Sequence, residues 1–270
     1  MGVALEMITA QVTAPGATFV AGVALAGDSL VVRNTGKRVS LVAAWQQQQA
    51  GALGSTRITS PLLHDNTRGI QYGLQAGSVE MGLYGQPVQQ LFSQDGLVIS
   101  RSGSAVAGDI EQSSLLVRYD DLPGIDGNFI SFDEAIKRTV NRLGVRVTPL
   151  VAVATGQYSA GVAINAVDDS LKANTEYAVI GFTAGAQCTS IGIKSPDWGN
   201  LRVGAPGMSG QSPALQDFFL DLSYETGLGC VPVFNSSNKG QTLVDFCDDE
   251  NAANITVVAY LAELSARRGR

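Results

Sequence analysis

Short runs of alternating or β-branched apolar residues, punctuated by Gly, Asn, Asp, Ser and Pro, follow one another along most of this chain. In the first half the pattern predicts strands over Thr18–Val23, Ser29–Arg33, Val39–Trp45, Thr56–Thr59, Gly69–Leu74, Ser78–Leu83, Gly96–Arg101 and Ser113–Asp120. Turn signals fall roughly every eight to twelve residues, the spacing of an antiparallel sandwich or barrel and not of alternating β-α units. Val39–Trp45 is apolar enough for a strand buried on both faces, and Gln46 to Gln49 reads as a polar loop at a rim. In the second half, Cys230–Phe234, Thr242–Phe246 and Ile255–Leu261 read as strands.

Two stretches carry a helical period instead. Ser131-Phe132-Asp133-Glu134 spells a capping box, and Ile136, Val140 and Leu143 follow on one face with Gly144 as a left-handed stop, so a helix is expected over 131–143. Ser212 as cap, Pro213 at the first helical position, and Leu215, Phe218, Phe219 and Leu222 at helical spacing predict a second helix.

The chain also echoes itself. Ile58-Thr59-Ser60-Pro61 followed by Asn66-Thr67-Arg68 has the same skeleton as Ile193-Lys194-Ser195-Pro196 followed by Asn200-Leu201-Arg202. Three further echoes lie around this one in the same order. Ala21 to Leu25 answers to Ala160 to Ile164, Leu41 to Ala44 to Val179 to Phe182, and Ser114 to Val117 to Thr256 to Ala259. Collinear matches at about half the chain length argue for an internal duplication. The expected architecture is all-β: one eight-stranded domain over 1–122, a structured linker over 123–150 holding the helix, and a second such domain over 151–270 with one inserted helix.

Composition narrows the function. A length of 270 residues suits two domains, each with its own core. Charged residues make up only 16%, below the usual quarter, which suggests a surface largely covered by partners. The net charge of −6 argues against a sequence-specific nucleic-acid binder held by phosphate neutralisation. The basic end, Arg267-Arg268-Gly269-Arg270, is a local exception. Cys188, Cys230 and Cys247 are odd in number and widely spaced, so they read as buried apolar residues in a reducing compartment. The start of the chain lacks a basic region and apolar run of the secretory kind, and no stretch approaches a membrane-spanning length. Asn235-Ser236-Ser237 and Asn254-Ile255-Thr256 therefore carry no glycosylation meaning.

Candidate chemistry is thin. Gly27-Asp28-Ser29-Leu30 matches the block of the GDSL esterases, whose serine needs a histidine base. The one histidine is His64, and the second half repeats Asp168-Asp169-Ser170-Leu171 at the matching place, so a repeated turn explains the block better. His64 alone cannot build a zinc site, and Asp120-Asp121 and Asp245 to Glu250 lack the spacing of a calcium loop. No phosphate-binding glycine loop is present. No catalytic residue, metal or cofactor is expected. The most informative polar feature is the repeated loop: Ser60, Pro61, Asn66, Arg68 and Ser195, Pro196, Trp198, Asn200, Arg202 are the expected contact residues. Each arginine would offer its planar fork to a neighbouring domain or subunit.

A tandem pair of eight-stranded β domains with Gly-rich loops resembles the double jelly-roll major capsid proteins of tailless viruses and phages. The resemblance lies in the architecture and rests on no signature residue. It implies two jelly-roll-like domains, homotrimers or larger assemblies of the chain with itself, contacts to other virion proteins, and a place in the virion after assembly in host cytoplasm. Contact with a membrane beneath the shell is left open. The alternative expectation is a capsid decoration protein or a tail-associated module that binds carbohydrate or another surface through exposed aromatics, for which Trp45 and Trp198 are the two tryptophans available.

Overall fold

The computed structural model describes residues 2–47, 53–63, 65, 67–73, 79–150, 157–185, 188–207, 213–248 and 254–266. In the first half the strands are β1 (Ala4–Thr13), β2 (Val20–Ala21), β3 (Val23–Ala24), β4 (Val39–Gln47), β5 (Thr56–Thr59), β6 (Ile70–Tyr72), β7 (Val79–Leu91), β8 (Val98–Arg101) and β9 (Ile110–Tyr119). Then come β10 (Phe129–Ile130), α1 (Phe132–Arg138), β11 (Thr139–Leu150), β12 (Val162–Ala163), β13 (Glu176–Ala184), β14 (Ser190–Lys194) and β15 (Val203–Pro206). The chain continues through α2 (Pro213–Gln216), α3 (Phe218–Thr226), β16 (Val231–Asn235), β17 (Leu243–Cys247) and β18 (Ile255–Leu264). The fold is all-β, with antiparallel ladders in four sheets: β3-β1-β9-β4-β7, β2-β8-β5-β6, β10-β16-β13-β18-β11 and β12-β17-β14-β15.

The two halves share one strand order. Set β3 and β10 aside and count the remaining strands of each half in chain order. Both halves then read 1-8-3-6 in one sheet and 2-7-4-5 in the other. They also share an irregularity. The β4–β9 ladder steps from Leu41 to Ala43, leaving Val42 as an extra residue, and the β13–β18 ladder steps from Val179 to Gly181, leaving Ile180. These are matching positions of the Leu41/Val179 echo. The ladders make Val117 the counterpart of Leu261, two residues away from the echo's alignment. A slip of two in a strand keeps the same face, which is why the echo survives.

Several expectations need correction. The helix over 131–143 stops at Arg138, and Thr139–Leu150 is a strand paired with β18. Ser131 does cap it, its Oγ accepting from the Glu134 amide at 3.2 Å. Ile136 and Val140, however, are 53% and 61% exposed. Thr139-Val140 and the Val145-Arg146-Val147 alternation are β-formers, and a twelve-residue ladder outweighs an amphipathic stripe too short to nucleate alone. Gly144 lies inside that strand instead of capping a helix. This strand, within the 123–150 stretch expected as a linker, pairs with β18. β1, for which the pattern gives no strand, lies centrally between β3 and β9 and is buried on both faces, so it shows no alternation. Ser29–Arg33 forms only the isolated bridge Val31–Gly96. Gln46 and Gln47 are not rim residues but the buried end of β4. The second helix breaks at Asp217 into α2 and α3 and ends at Gly227, φ +67°; Ser212 lies outside the described residues. All three cysteines are buried and unbridged.

Candidate functional site: a buried polar junction between the halves

The repeated loops follow equivalent strands, β5 and β14, and then diverge. Ser60 is buried and donates to Asp95, while Pro61 and Arg68 are exposed. The Arg68 side chain makes no ion pair with a described residue, and Asn66 lies outside the described residues. In the second loop Ser195 is buried, its Oγ 3.0 Å from Thr242 Oγ1, and Pro196 opens a 3-10 turn ending at Trp198. Trp198 is fully buried, with Nε1 donating to Leu201 O at 2.9 Å. Gly199 and Asn200 take left-handed φ values of +69° and +58°, as a turn-forming Asn can, and bring the chain back so that the Asn200 amide reaches Ser195 O at 2.9 Å.

The two arginines part company through a shift of one residue. Ile58 pairs with Ile70 and Ile193 with Val203, so Arg68 lies two residues before its strand pair and Arg202 only one. One residue of offset turns a side chain to the other face. Arg68 points to solvent; Arg202 points into the molecule. Arg202 joins the two halves of its own chain.

There Arg202 spreads its fork between carboxylates of both halves. Nη1 donates to Asp28 Oδ1 at 3.0 Å, and Nε and Nη2 reach Asp245 at 3.1–3.2 Å. The guanidinium lies 3.3 Å from the Tyr158 ring centroid, a stacked cation-π contact. Lys194 adds a second cation, 3.2 Å from Asp245 Oδ2. Asp28 accepts from the Thr9 amide at 2.8 Å and from the Tyr158 hydroxyl at 2.7 Å. Burial pushes its carboxyl up to about 6, against the pull of Tyr158, Thr9 and Arg202. Burial likewise pushes the Tyr158 hydroxyl and the Cys247 thiol up.

From Tyr158 a file of hydroxyls crosses back and forth between the halves. Tyr158 Oη is 2.9 Å from Thr9 Oγ1, Thr9 is 2.7 Å from Ser114, Ser114 is 2.7 Å from Ser190, and Ser190 is 2.8 Å from Trp45 Nε1. The ends fix its direction: an indole N–H can only donate and a carboxylate can only accept. Protons therefore point from Trp45 through Ser190, Ser114, Thr9 and Tyr158 to Asp28, and each bond polarises the next. Trp45 Nε1 also lies 3.1 Å from Thr189 O, and Thr189 Oγ1 donates to Gln47 Oε1 at 2.6 Å. Gly204 admits Met7 to the same seam, since a Cβ there would collide with its sulfur. The arrangement holds the two halves together. Ser29, the nucleophile an esterase would need, accepts from the Val31 amide two residues on, as a turn residue does, and His64 lies outside the described residues.

The junction joins unlike faces: β1, β4 and β9 of the first half meet β14, β15 and the Tyr158 segment of the second. Sequence reasoning reached Arg202 through the repeat and expected its fork on a neighbouring domain or subunit; within the chain it meets Asp28 of the other half. That reasoning missed Thr9, Ser114, Tyr158 and Ser190, which carry no motif. Asp28 appeared only inside an esterase-like block.

No protein-family model and no curated protein matches this chain. Among solved structures it is similar to the crystal structure of the PBSX exported protein XepA over 95% of this chain and 85% of that one, with 11% identity and a TM-score of 0.25. It is similar to the crystal structure of the major capsid protein P2 from Bacteriophage PM2 over 99% of this chain and 100% of that one, with 7% identity and a TM-score of 0.21. Overlays this loose carry no argument about the fold or the role of this chain.

Proposed function

We propose that the chain is a structural, shell-forming protein of a virus particle, a phage major capsid protein that assembles with copies of itself and does no chemistry. The observation that carries this reading is a pair of units with one strand order and one shared bulge, locked together by a buried junction. Bulges are kept features of a strand pair, so the shared one favours descent from a single doubled unit. Eight strands in two four-stranded antiparallel sheets suit a jelly roll.

The junction supports a tiling role in a second way. A contact between unlike faces leaves complementary faces free at either end, and repeated contacts of this kind close rings or run on as filaments. The ladders put Arg146, Val258 and Thr183 of the second half where the first half has Thr9, Ser114 and Trp45. Arg146 is exposed, and Val258 and Thr183 are half-buried. An arginine in place of Thr9 stops the internal contact from simply repeating onto another copy, because burying an unpaired cation is costly. Chain-to-chain contacts are then of a different kind and free to close a trimeric ring. Light scattering and negative-stain imaging of the purified chain test this: rings or shells are expected, and a stable monomer at high concentration refutes it.

One observation favours the second reading, a decoration or tail-associated carbohydrate-binding module: Tyr84 and Tyr224 line an open groove beside α3. Binding on a glycan array, lost in Tyr224→Ala, would favour that module over a shell protein.

A further inference from the structure

Arg202 shows the surroundings that one arginine of the repeated loop takes: the carboxylates of Asp28 and Asp245, and the Tyr158 ring against its guanidinium. Arg68, the arginine of the other loop, has neither a carboxylate nor a ring among the described residues. Its loop is nonetheless held in shape. Asp65 Oδ1 accepts from the Thr67 amide at 3.0 Å and the Arg68 amide at 2.8 Å, and the Gln71 side chain donates to Arg68 O at 3.0 Å. Leu62 of the same loop is 53% exposed. A braced loop thus offers solvent a cation and an apolar side chain together.

The missing surroundings exist beside α3, where no cation of the described residues uses them. Helix α3 turns Phe219 and Leu222 inward and keeps Asp221, Tyr224 and Glu225 exposed. With Tyr84 of β7 opposite and Phe218 as floor, these side chains bound a groove of about 480 Å³. Asp221 and Glu225 stand four residues apart on the helix, a like-charge spacing that weakens it. Neither makes an ion pair with a described residue. Their field reaches across the groove: burial, then Asp221 and Glu225, pushes the Tyr84 hydroxyl up, and burial, then Glu225, raises the Asp221 carboxyl. Two carboxylates beside tyrosine rings are what Arg202 has and Arg68 lacks.

We propose that the α3 groove of one copy takes Arg68, with Leu62 beside it, from the loop of a second copy. The contact rests on the shell-forming reading and names the surfaces by which one chain meets the next. A guanidinium fork matches a carboxylate and stacks on an aromatic face, so Asp221, Glu225 and the two tyrosines answer Arg68 as Asp28, Asp245 and Tyr158 answer Arg202. Phe218 on the floor offers Leu62 an apolar seat. A loop already braced by Asp65 loses little freedom on docking. Arg68 does not line the groove of its own chain, so the contact joins unlike surfaces of two copies, the kind that runs head to tail and closes rings.

Sedimentation velocity of the full chain over a range of concentrations tests this, with urea melts as the control for folding. Arg68→Glu should weaken association at least about tenfold, and so should Asp221→Asn/Glu225→Lys, because each sets like charges against one another at the contact. The added lysine stands in the last turn of α3, where a cation suits the helix. The variant that carries all three changes exchanges the signs on both sides and should associate within about threefold of the parent. Arg68→Ala alters one exposed side chain without an ion pair among the described residues, so it reports on the contact with the fold untouched, and it should weaken association as well. Equal association of the parent, Arg68→Ala and both single-site variants overturns the contact and leaves the shell-forming reading standing. A triple variant that folds but stays as weak as the single-site variants overturns the contact too. A parent that remains monomeric at high concentration refutes the shell-forming reading, and the contact falls with it.

Discussion

Arg101 and Glu111 allow the duplicated architecture to be tested by exchanging one half's solution for the other's. Both side chains are fully buried, 2.6 Å apart, inside the first half. Arg101 also donates to Thr56 Oγ1 at 2.8 Å, Gln47 O at 3.0 Å and Gln46 Oε1, and Glu111 accepts from the Ser104 amide at 3.0 Å. Ile58 pairs with Ile99 and Ile193 with Val244, so Phe246 stands in the second half where Arg101 stands in the first. By the β9–β18 correspondence Ile255 takes the place of Glu111. The same site is thus filled once by ions and once by hydrocarbon. Removing one ion strands the other in a dry core, so Arg101→Met and Glu111→Leu should each destabilise by about 3–5 kcal/mol. The double variant removes both charges. It removes the hydrogen bonds to Gln47 O and from the Ser104 amide, at about 1–3 kcal/mol each, offset by new apolar packing. It should lose no more stability than either single variant, a coupling of several kcal/mol. Urea melts of the four proteins at one pH measure this. Additive losses would refute the argument, showing that the pair does not act as a unit and that the second half's apolar pair is no guide to the first.

Three further outcomes follow from the junction and the bulge. Asp28 has a folded-state carboxyl raised to about 6 from an ordinary 3.8, so the folded chain holds more protons than the unfolded one between those values. Its contribution to stability is therefore greatest at low pH and falls, by about 3 kcal/mol, as pH rises from about 4 through about 6. The stability difference between the parent and Asp28→Asn should carry that slope, and a slope of opposite sign across the window would rule it out. Trp45→Phe removes the donor that starts the hydroxyl file and should cost about 1–3 kcal/mol; hydrogen exchange across Thr189–Ile193 should quicken, and unchanged exchange would remove Trp45 from the junction. Gly181→Ala would drive a methyl into Leu215 O and so push α2 off β13, a loss of about 1–3 kcal/mol or more in a thermal melt. Ala43, its counterpart in the first half, carries that methyl. A melt unchanged by Gly181→Ala would mean that α2 is not seated on β13.

Much of the β architecture was legible in the residues. β4, β5, β8, β9, β16, β17 and β18 lie where apolar runs and turn residues put them. The Leu41/Val179 echo and the Ile-x-Ser-Pro part of the loop echo lie at matching ladder positions. The Ser114/Thr256 echo has the right strand with the register two residues out, and the Ala21/Ala160 echo sets Val23–Ala24 of β3 against Val162–Ala163 of β12, which pair with different strands. The failures cluster on one structural position. β1 and β11 occupy equivalent places in the two sheets, and both were missed. β1 is enclosed on both faces, and its Ala, Leu, Glu and Met are helix formers. β11 follows a true N-cap, and its apolar residues mimic a helical stripe. Local propensity differs by only tenths of a kcal/mol per residue, so the long ladders, ten residue pairs between β1 and β9 and nine between β11 and β18, decide the outcome.

By itself, then, the order of residues determined the strands with clear alternation, the caps and turns, the shared Ile-x-Ser-Pro skeleton and the apolar character of the cysteines, because these depend on neighbours a few positions away. Tertiary structure alone decided that Arg202 turns inward while Arg68 turns out, that four hydroxyls without any motif line up between Trp45 and Asp28, and that unlike faces meet. Those features depend on strand register and on contacts between residues far apart in the chain, 76 positions for Ser114–Ser190 and 149 for Tyr158–Thr9. A single residue of loop length reverses them without leaving a mark on the local pattern.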